Sequence, residues 1–196
     1  MKAVLKIGDK ASSQLTANPS ISDGARFGGH FIVEHVRNGK VIHTQRANNL
    51  LTTEGLTHIL DVLLANGDQE DAWYCILFST DSTPAEGWLY TIPVCTEVAV
   101  KIDEATRPVY VDIHASTTST NAASKAEFTF NDDLIIYGAG LVGYPGADGG
   151  GLGATKGDVS GGGVFLCAAR FASNRHVVDD DIINLTYVLS AGDDGE

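Results

Sequence analysis

One stretch of the sequence, residues 31–46, reads Phe31-Ile32-Val33-Glu34-His35-Val36-Arg37-Asn38-Gly39-Lys40-Val41-Ile42-His43-Thr44-Gln45-Arg46. Two runs rich in β-branched residues flank an Asn-Gly pair at positions 38 and 39. Asn-Gly between such runs indicates a tight type I′ turn, because both of its central residues need a positive φ. The stretch therefore predicts an antiparallel β-hairpin.

Further strand patterns follow the hairpin along the chain. In residues 125–130 the alternation places Ala126, Phe128 and Phe130 on one face, which is typical of a half-buried strand. Short runs separated by turn-rich loops predict a mainly β, antiparallel β-sandwich or jelly-roll-like fold. The other runs are residues 73–78, 94–100, 109–114, 134–137, 164–171 and 182–189.

A single amphipathic helix is predicted at about residues 54–65. Thr53 is expected to be the N-cap, and Asn66-Gly67 to end the helix. The apolar residues share one helical face; they are Leu56, Ile59, Leu60, Leu63 and Leu64. That face is expected to pack on the sheet, so Leu60→Ala should cost about 2–5 kcal/mol.

The domain organisation is predicted from the segments that lack the apolar periodicity of strands and helices. Residues 1–29 lack periodicity and are predicted to be an extended N-terminal arm, ordered by neighbouring subunits if it is ordered at all. Residues 30–196 form the predicted β-sandwich domain. A glycine-rich loop insertion at about residues 143–163 interrupts it, and a loop of that length is typically functional or disordered.

Composition excludes several classes of protein. The 196 residues include 25 acids and 13 bases, a net charge of −12, which argues against nucleic-acid binding through phosphates. Neither a run of eighteen apolar residues nor an apolar signal segment occurs, so membrane insertion and export are not expected. The three cysteines, Cys75, Cys95 and Cys167, lie in apolar runs and are predicted to be buried free thiols in a reducing compartment.

Two glycine motifs resemble phosphate-binding loops. Gly138-Ala139-Gly140-Leu141-Val142-Gly143 matches the dinucleotide fingerprint, but that site requires a helix to begin there. Pro145 and the following glycines preclude such a helix, so a strand with bulge glycines is predicted. Lys156-Gly157 lacks the remainder of a P-loop.

The candidate metal ligands and nucleophiles also favour structural roles. Asp179-Asp180-Asp181 is more typical of a solvated turn than of a cation site. His35 and His43 could face each other across the hairpin, where surface polar roles are more common than metal binding. The cysteines lack nucleophile motifs. No catalytic, cofactor-binding or metal residue is assigned, and the chain is not predicted to be an enzyme.

Several segments resemble a family of small structural virion proteins of tailed bacteriophages. Asn49-Leu50-Leu51-Thr52-Thr53-Glu54-Gly55-Leu56, running into Ile59-Leu60-Asp61-Val62-Leu63, is similar to that family's NLxTxxGLxxxLDxLF segment. Similar segments follow in the same order, from about residue 31 to the C-terminus. They are Trp73-Tyr74-Cys75-Ile76-Leu77, Thr96-Glu97-Val98, Glu104-Ala105-Thr106-Arg107-Pro108 and Ser124-Lys125-Ala126-Glu127-Phe128-Thr129-Phe130. Residues 1–29 and the glycine-rich insertion have no counterpart in the resemblance.

The resemblance implies a capsid-associated cement or decoration protein that stabilises the shell non-covalently. The expected partners are the major capsid protein and further copies of the chain, within a virion assembled in the host cytoplasm; neither nucleic acid nor a membrane is expected. A tail or neck component is the structural alternative. A carbohydrate-binding module is a third possibility, with Trp73, Trp88, Tyr90 and Tyr110 as the available aromatic platform.

Overall fold

The computed structural model describes residues 25–91, 94–145 and 149–193. These residues form ten strands and two helices. The strands are β1 (Ala25–Arg37), β2 (Lys40–Asn48), β3 (Leu50–Leu51), β4 (Glu70–Phe78), β5 (Ile113–Ala115), β6 (Thr118–Thr120), β7 (Ala126–Thr129), β8 (Leu134–Pro145), β9 (Val164–Val177) and β10 (Ile182–Asp193). The helices are α1 (Thr53–Leu64) and α2 (Gly149–Ala154). Neither helix is long and apolar enough to cross a membrane.

The strands form two antiparallel sheets. Sheet A has the order β2-β1-β10-β6-β5, and β7 also pairs with β10. Sheet B has the order β3-β9-β8-β4. The prediction of a mainly β, antiparallel sandwich with an accompanying helix is confirmed.

The first hairpin is also confirmed. Asn38 and Gly39 connect β1 to β2 with φ values of 51° and 70°, the positive values that a type I′ turn requires. β1 nevertheless begins at Ala25, which lies opposite Asp193 of β10. Residues 25–29 thus belong to the sheet and not to the predicted arm of residues 1–29, whose remainder lies outside the described residues.

The main core lies between the two sheets. Phe31 of β1 and Tyr187 of β10 contribute from sheet A, with ring centroids 4.5 Å apart. Leu77, Leu141 and Phe171 contribute from sheet B. Side chains along each strand point alternately into this core and away from it, which explains the alternation of apolar and polar residues in the sequence.

A second core covers the other face of sheet B. Trp88 lies edge-on to Phe78 and Phe165, with centroids 5.8 and 5.9 Å away, and Tyr90 and Cys95 join the same cluster. β4 is therefore buried on both faces, which explains why its sequence reads as a continuous apolar run.

The predicted glycine-rich loop of residues 143–163 is largely structured where it is described. Its first three residues end β8, which continues to Pro145, and α2 follows after residues 146–148. This short helix is additional to the predicted amphipathic helix. Residues 94–100 were predicted to be a strand and contribute only an isolated bridge, between Glu97 and Phe78.

All three cysteines are free and buried, as predicted. Burial raises the pKa of Cys95 to about 12 and that of Cys167 to about 11. Burial, followed by the neighbouring Cys167, also raises the pKa of Cys75.

Because the thiolate is the reactive form, we expect native Cys75 and Cys167 to react slowly with a thiol reagent. Labelling monitored by mass spectrometry should be fast only in denaturant. Rapid labelling of both residues in the native protein, or a mass showing a disulfide, would contradict this expectation.

Candidate interaction surface

Helix α1 exposes the apolar face that was expected to be buried. Leu56, Leu60, Leu63 and Leu64 are all exposed, and Leu60 retains 55% of its accessible surface. Ile59 alone of the predicted stripe packs partly against the main core. The prediction that this stripe packs on the sheet is therefore wrong.

Gly55 explains the orientation of the helix. It is the buried residue of α1, and a Cβ added to it would lie 2.5 Å from the carbonyl oxygen of Leu166 in β9. A glycine is required for such a close approach between a helix and a strand backbone. The helix thus presents Gly55, not its neighbour Leu56, to sheet B.

Two residues near the helix start fix it in this position. Thr52 is the N-cap, in place of the predicted Thr53, and its Oγ1 accepts a hydrogen bond from the amide of Gly55 at 2.9 Å. The carboxylate of Glu54 accepts hydrogen bonds from the amides of Tyr90 at 2.9 Å and Phe165 at 2.7 Å. The exposed leucines are consequently carried on a firmly anchored element.

The far end of α1 follows the predicted signal. Asn66 adopts a φ of 57°, and the amides of Ala65 and Gly67 both donate to the carbonyl of Asp61 at 2.9 Å. This hydrogen-bond pattern is typical of a helix that ends at a residue in the left-handed conformation.

The exposure of Leu60 changes the expected outcome of truncating it. An exposed side chain leaves little cavity when shortened, and surface substitutions typically shift stability by about 0.5 kcal/mol or less. We expect Leu60→Ala to change the free energy of unfolding by that amount, measured by urea denaturation. A loss of about 2 kcal/mol or more would show that the leucine is buried in solution.

A cavity of about 310 Å³ lies at the second core, beside a buried arginine. Arg107 donates from Nε and Nη2 to Glu97, with a shortest distance of 2.6 Å. Its Nη1 donates to Tyr90 Oη at 2.8 Å and to the carbonyl of Gly153 at 3.0 Å, and Nη2 also donates to the carbonyl of Asp158 at 2.9 Å. The guanidinium is fully engaged by the protein, which makes it a clamp and leaves it little capacity for a ligand.

The Arg107 clamp holds the glycine-rich segment against the domain. Glu97 accepts a further hydrogen bond from the amide of Gly157 at 3.0 Å. Burial alone would lower the pKa of Arg107, but Glu97 and Tyr90 outweigh it and raise the pKa. The Arg107–Glu97 pair therefore has a structural role.

The first of the two glycine motifs lies in a strand, as predicted. Residues 138–143 lie within β8, whose pairing with β9 shifts between Ile136 and Gly138 and again between Leu141 and Val142. These irregularities confirm the predicted strand with bulges. Lys156 donates to the carbonyl of Ile102 at 3.1 Å.

His35 and Asp181 form a buried polar network that the sequence did not reveal. His35 faces His43 across the hairpin, but it is buried and its Nε2 lies 2.9 Å from Asp181 Oδ2. Asp181 also accepts from Arg37 at 2.6 and 2.7 Å. The expectations of a surface histidine and a fully solvated acidic turn are therefore wrong for His35 and Asp181.

The other side of the imidazole faces a second arginine. Arg175 of β9 lies 3.3 Å from His35 Nδ1, so the neutral tautomer with its proton on Nε2 suits both neighbours. Burial, followed by Arg175 and Arg37, lowers the pKa of His35 below its ordinary 6.5, although Asp181 opposes the shift. Burial would raise the pKa of Asp181, but Arg37, the Val178 amide and His35 lower it overall.

The network predicts a loss of stability in acid. Because the pKa of His35 is depressed in the folded protein, its contribution is complete above pH 6.5 and is lost as the pH falls through the folded-state pKa. His43 shares this trend, since burial and then Arg175 lower its pKa. Asp181 adds a further loss at still lower pH.

We expect the melting temperature to fall as the pH is lowered from 7 to 5, and to fall less in His35→Gln. His114→Gln is the control, because His114 is exposed. Equal slopes for wild-type protein and His35→Gln would contradict the assignment.

The aromatic residues named for a carbohydrate platform do not form one. Trp88, Tyr90 and Tyr110 are buried, and Trp73 packs partly against the main core. Stacking on a sugar requires an exposed ring face, so these residues give that alternative no support.

No group of three or more metal-ligating side chains occurs within residues 25–91, 94–145 and 149–193. A scan against models of known protein families and a search of curated proteins both match nothing. The exposed leucine face of α1 calls for a functional explanation, because four large apolar side chains on one helix are left in contact with solvent. The helical pattern alone did not show that this face is exposed.

Proposed function

We propose that the protein is a structural component of a tailed-phage virion, which binds the capsid shell as a cement or decoration protein. The observation that carries the proposal is the exposed leucine face of α1. Four exposed leucines on one anchored helix form an apolar patch, and exposed apolar patches mark protein–protein interaction sites. The major capsid protein is the proposed partner.

The resemblance in sequence supports the same assignment. The segment of residues 49–63, which is similar to the virion family, contains β3, the N-cap Thr52, Gly55 and three of the exposed leucines. The resemblance thus coincides with both the residues that orient the helix and part of the surface it presents. Copies of the protein on the shell would stabilise it through non-covalent contacts between subunits.

The fold suits a binding role. In the described residues the guanidinium of Arg107, beside the cavity, is engaged by hydrogen bonds within the protein, and the thiols are buried. These features favour a rigid module that presents a surface over one that transforms a substrate.

Co-sedimentation with purified phage particles tests the proposal. The full chain is mixed with undecorated heads and, separately, with isolated tails of the phage that encodes it. Binding to heads and not to tails supports the cement role. Binding to tails alone supports the alternative of a tail or neck component, and binding to neither overturns the proposal.

A further inference from the structure

A groove of about 370 Å³ crosses the outward face of sheet A near the start of β1. Its basic residues are Arg26, His30 and Arg46, and its remaining lining includes Ser190 and three glycines. None of the lining residues that the structure describes is acidic, although the chain as a whole carries a charge of −12. The groove is therefore a basic region on a protein whose net charge is negative.

Glycines form the floor of this groove. Gly28 of β1 lies opposite Ser190 of β10, and Arg26 lies opposite Gly192. A Cβ added to Gly28 or Gly192 would meet no atom of a described residue within 4 Å. The missing side chains therefore leave open space between the basic residues.

Two basic side chains of the groove, His30 and Arg46, repel each other when both are charged. Burial first, and then the positive charge of Arg46, lowers the pKa of His30. A carboxylate placed between these side chains would relieve the repulsion and form charge-assisted hydrogen bonds. The groove is therefore electrostatically complementary to an anion.

The backbone beside the groove is open as well. β2 ends at Asn48, opposite His30, while β1 continues back to Ala25. No described strand pairs with residues 25–28 on that side. The carbonyl of Gly29 points there and accepts from the Asn49 amide at 3.1 Å, so by strand alternation the amide of Phe27 points there too.

The basic groove and the unpaired edge of β1 favour the same kind of ligand, an extended acidic segment. An extended segment that continued the line of β2 would pair with this edge of β1. Its outward side chains would lie opposite Arg26 and Gly28, because directly opposed residues in antiparallel strands are neighbours. Acidic side chains at those positions would enter the groove.

We propose that this groove and edge bind an acidic extended segment of a partner protein by β-strand addition. Main-chain hydrogen bonds to the edge of β1 hold the segment, and Arg46 and His30 hold its carboxylates. The site lies on the outward face of sheet A, whereas α1 packs on sheet B, so the inference does not depend on the proposed capsid function.

The test uses a fluorescent peptide, Thr-Glu-Thr-Glu-Thr-Glu-Thr, and its glutamine counterpart, titrated with the full chain at low salt. We expect the glutamate peptide to bind and the glutamine peptide to bind at least about tenfold more weakly. Arg46→Glu should weaken binding at least about tenfold. Lys40→Glu makes the same charge change at the hairpin turn and should leave binding unchanged.

Hydrogen exchange provides a second readout, since the bound peptide should protect the amide of Phe27. The proposal is overturned if the glutamate peptide does not bind or if both variants weaken binding equally. It is also overturned if a single-stranded DNA of equal charge binds as tightly, because the groove would then select polyanions in general.

Discussion

Arg107→Met is expected to lower the free energy of unfolding by about 3–5 kcal/mol, because it leaves the largely buried carboxylate of Glu97 without its partner. Glu97 would lose its hydrogen bonds from the guanidinium, and Tyr90 and the carbonyls of Gly153 and Asp158 would each lose a donor. Methionine retains much of the aliphatic volume, so the loss reports mainly on the polar network. Urea denaturation measures the change.

Arg170→Met is the matched control for this prediction. Arg170 pairs with Asp81 at 2.5 Å, but both side chains are exposed, and such pairs contribute about 1 kcal/mol or less. The double variant Arg107→Met/Glu97→Gln should recover part of the loss, since it removes the uncompensated charge. If Arg107→Met and Arg170→Met are equally stable, Arg107 is not a clamp.

The double variant Leu60→Asp/Leu63→Asp is expected to weaken binding to undecorated heads at least about 100-fold. A few residues of an interface dominate binding, at about 2 kcal/mol or more each, and a combined loss of about 2.8 kcal/mol corresponds to a 100-fold change in affinity. Both leucines are exposed, so the melting temperature should change little. Co-sedimentation and calorimetry measure the two effects separately.

Val41→Asp is the control for the head-binding experiment. Val41 has the same exposed fraction as Leu60, 55%, and lies on β2. It tests whether any apolar-to-acidic change on the surface is sufficient to weaken binding. Equal losses for Val41→Asp and for the leucine variant would argue that the effect is one of net charge.

Local signals in the sequence predicted much of the fold. The turn at Asn38 and Gly39, the bulged strand at residues 138–143 and the burial of the three thiols all depend on neighbouring residues and on hydrophobicity. The structure confirms each of them. Short-range patterns suffice where one conformation is strongly preferred.

The orientation of α1 could not be derived in this way. A helical stripe shows that leucines share a face, but not whether the protein itself covers that face. Gly55 was the available signal, because a glycine inside a helix often marks close packing. Its contact with Leu166 joins residues 111 positions apart, which no local pattern reveals.

Long separations also concealed the polar clusters. His35 and Asp181 are 146 residues apart, and Asp181 appears in the sequence as part of an ordinary acidic turn. The groove on sheet A likewise combines β1, β2 and β10. Such sites depend on strand register, and register is set by the whole sheet.

An image reconstruction of heads decorated with the full chain tests the central claim most directly. The account predicts density for the protein on the shell, with Leu60 and Leu63 of α1 within about 4.5 Å of apolar atoms of the capsid protein. A reconstruction in which the protein is bound and α1 faces solvent would contradict the assignment of this surface. If heads incubated with the full chain show no density for it, the capsid function itself is contradicted.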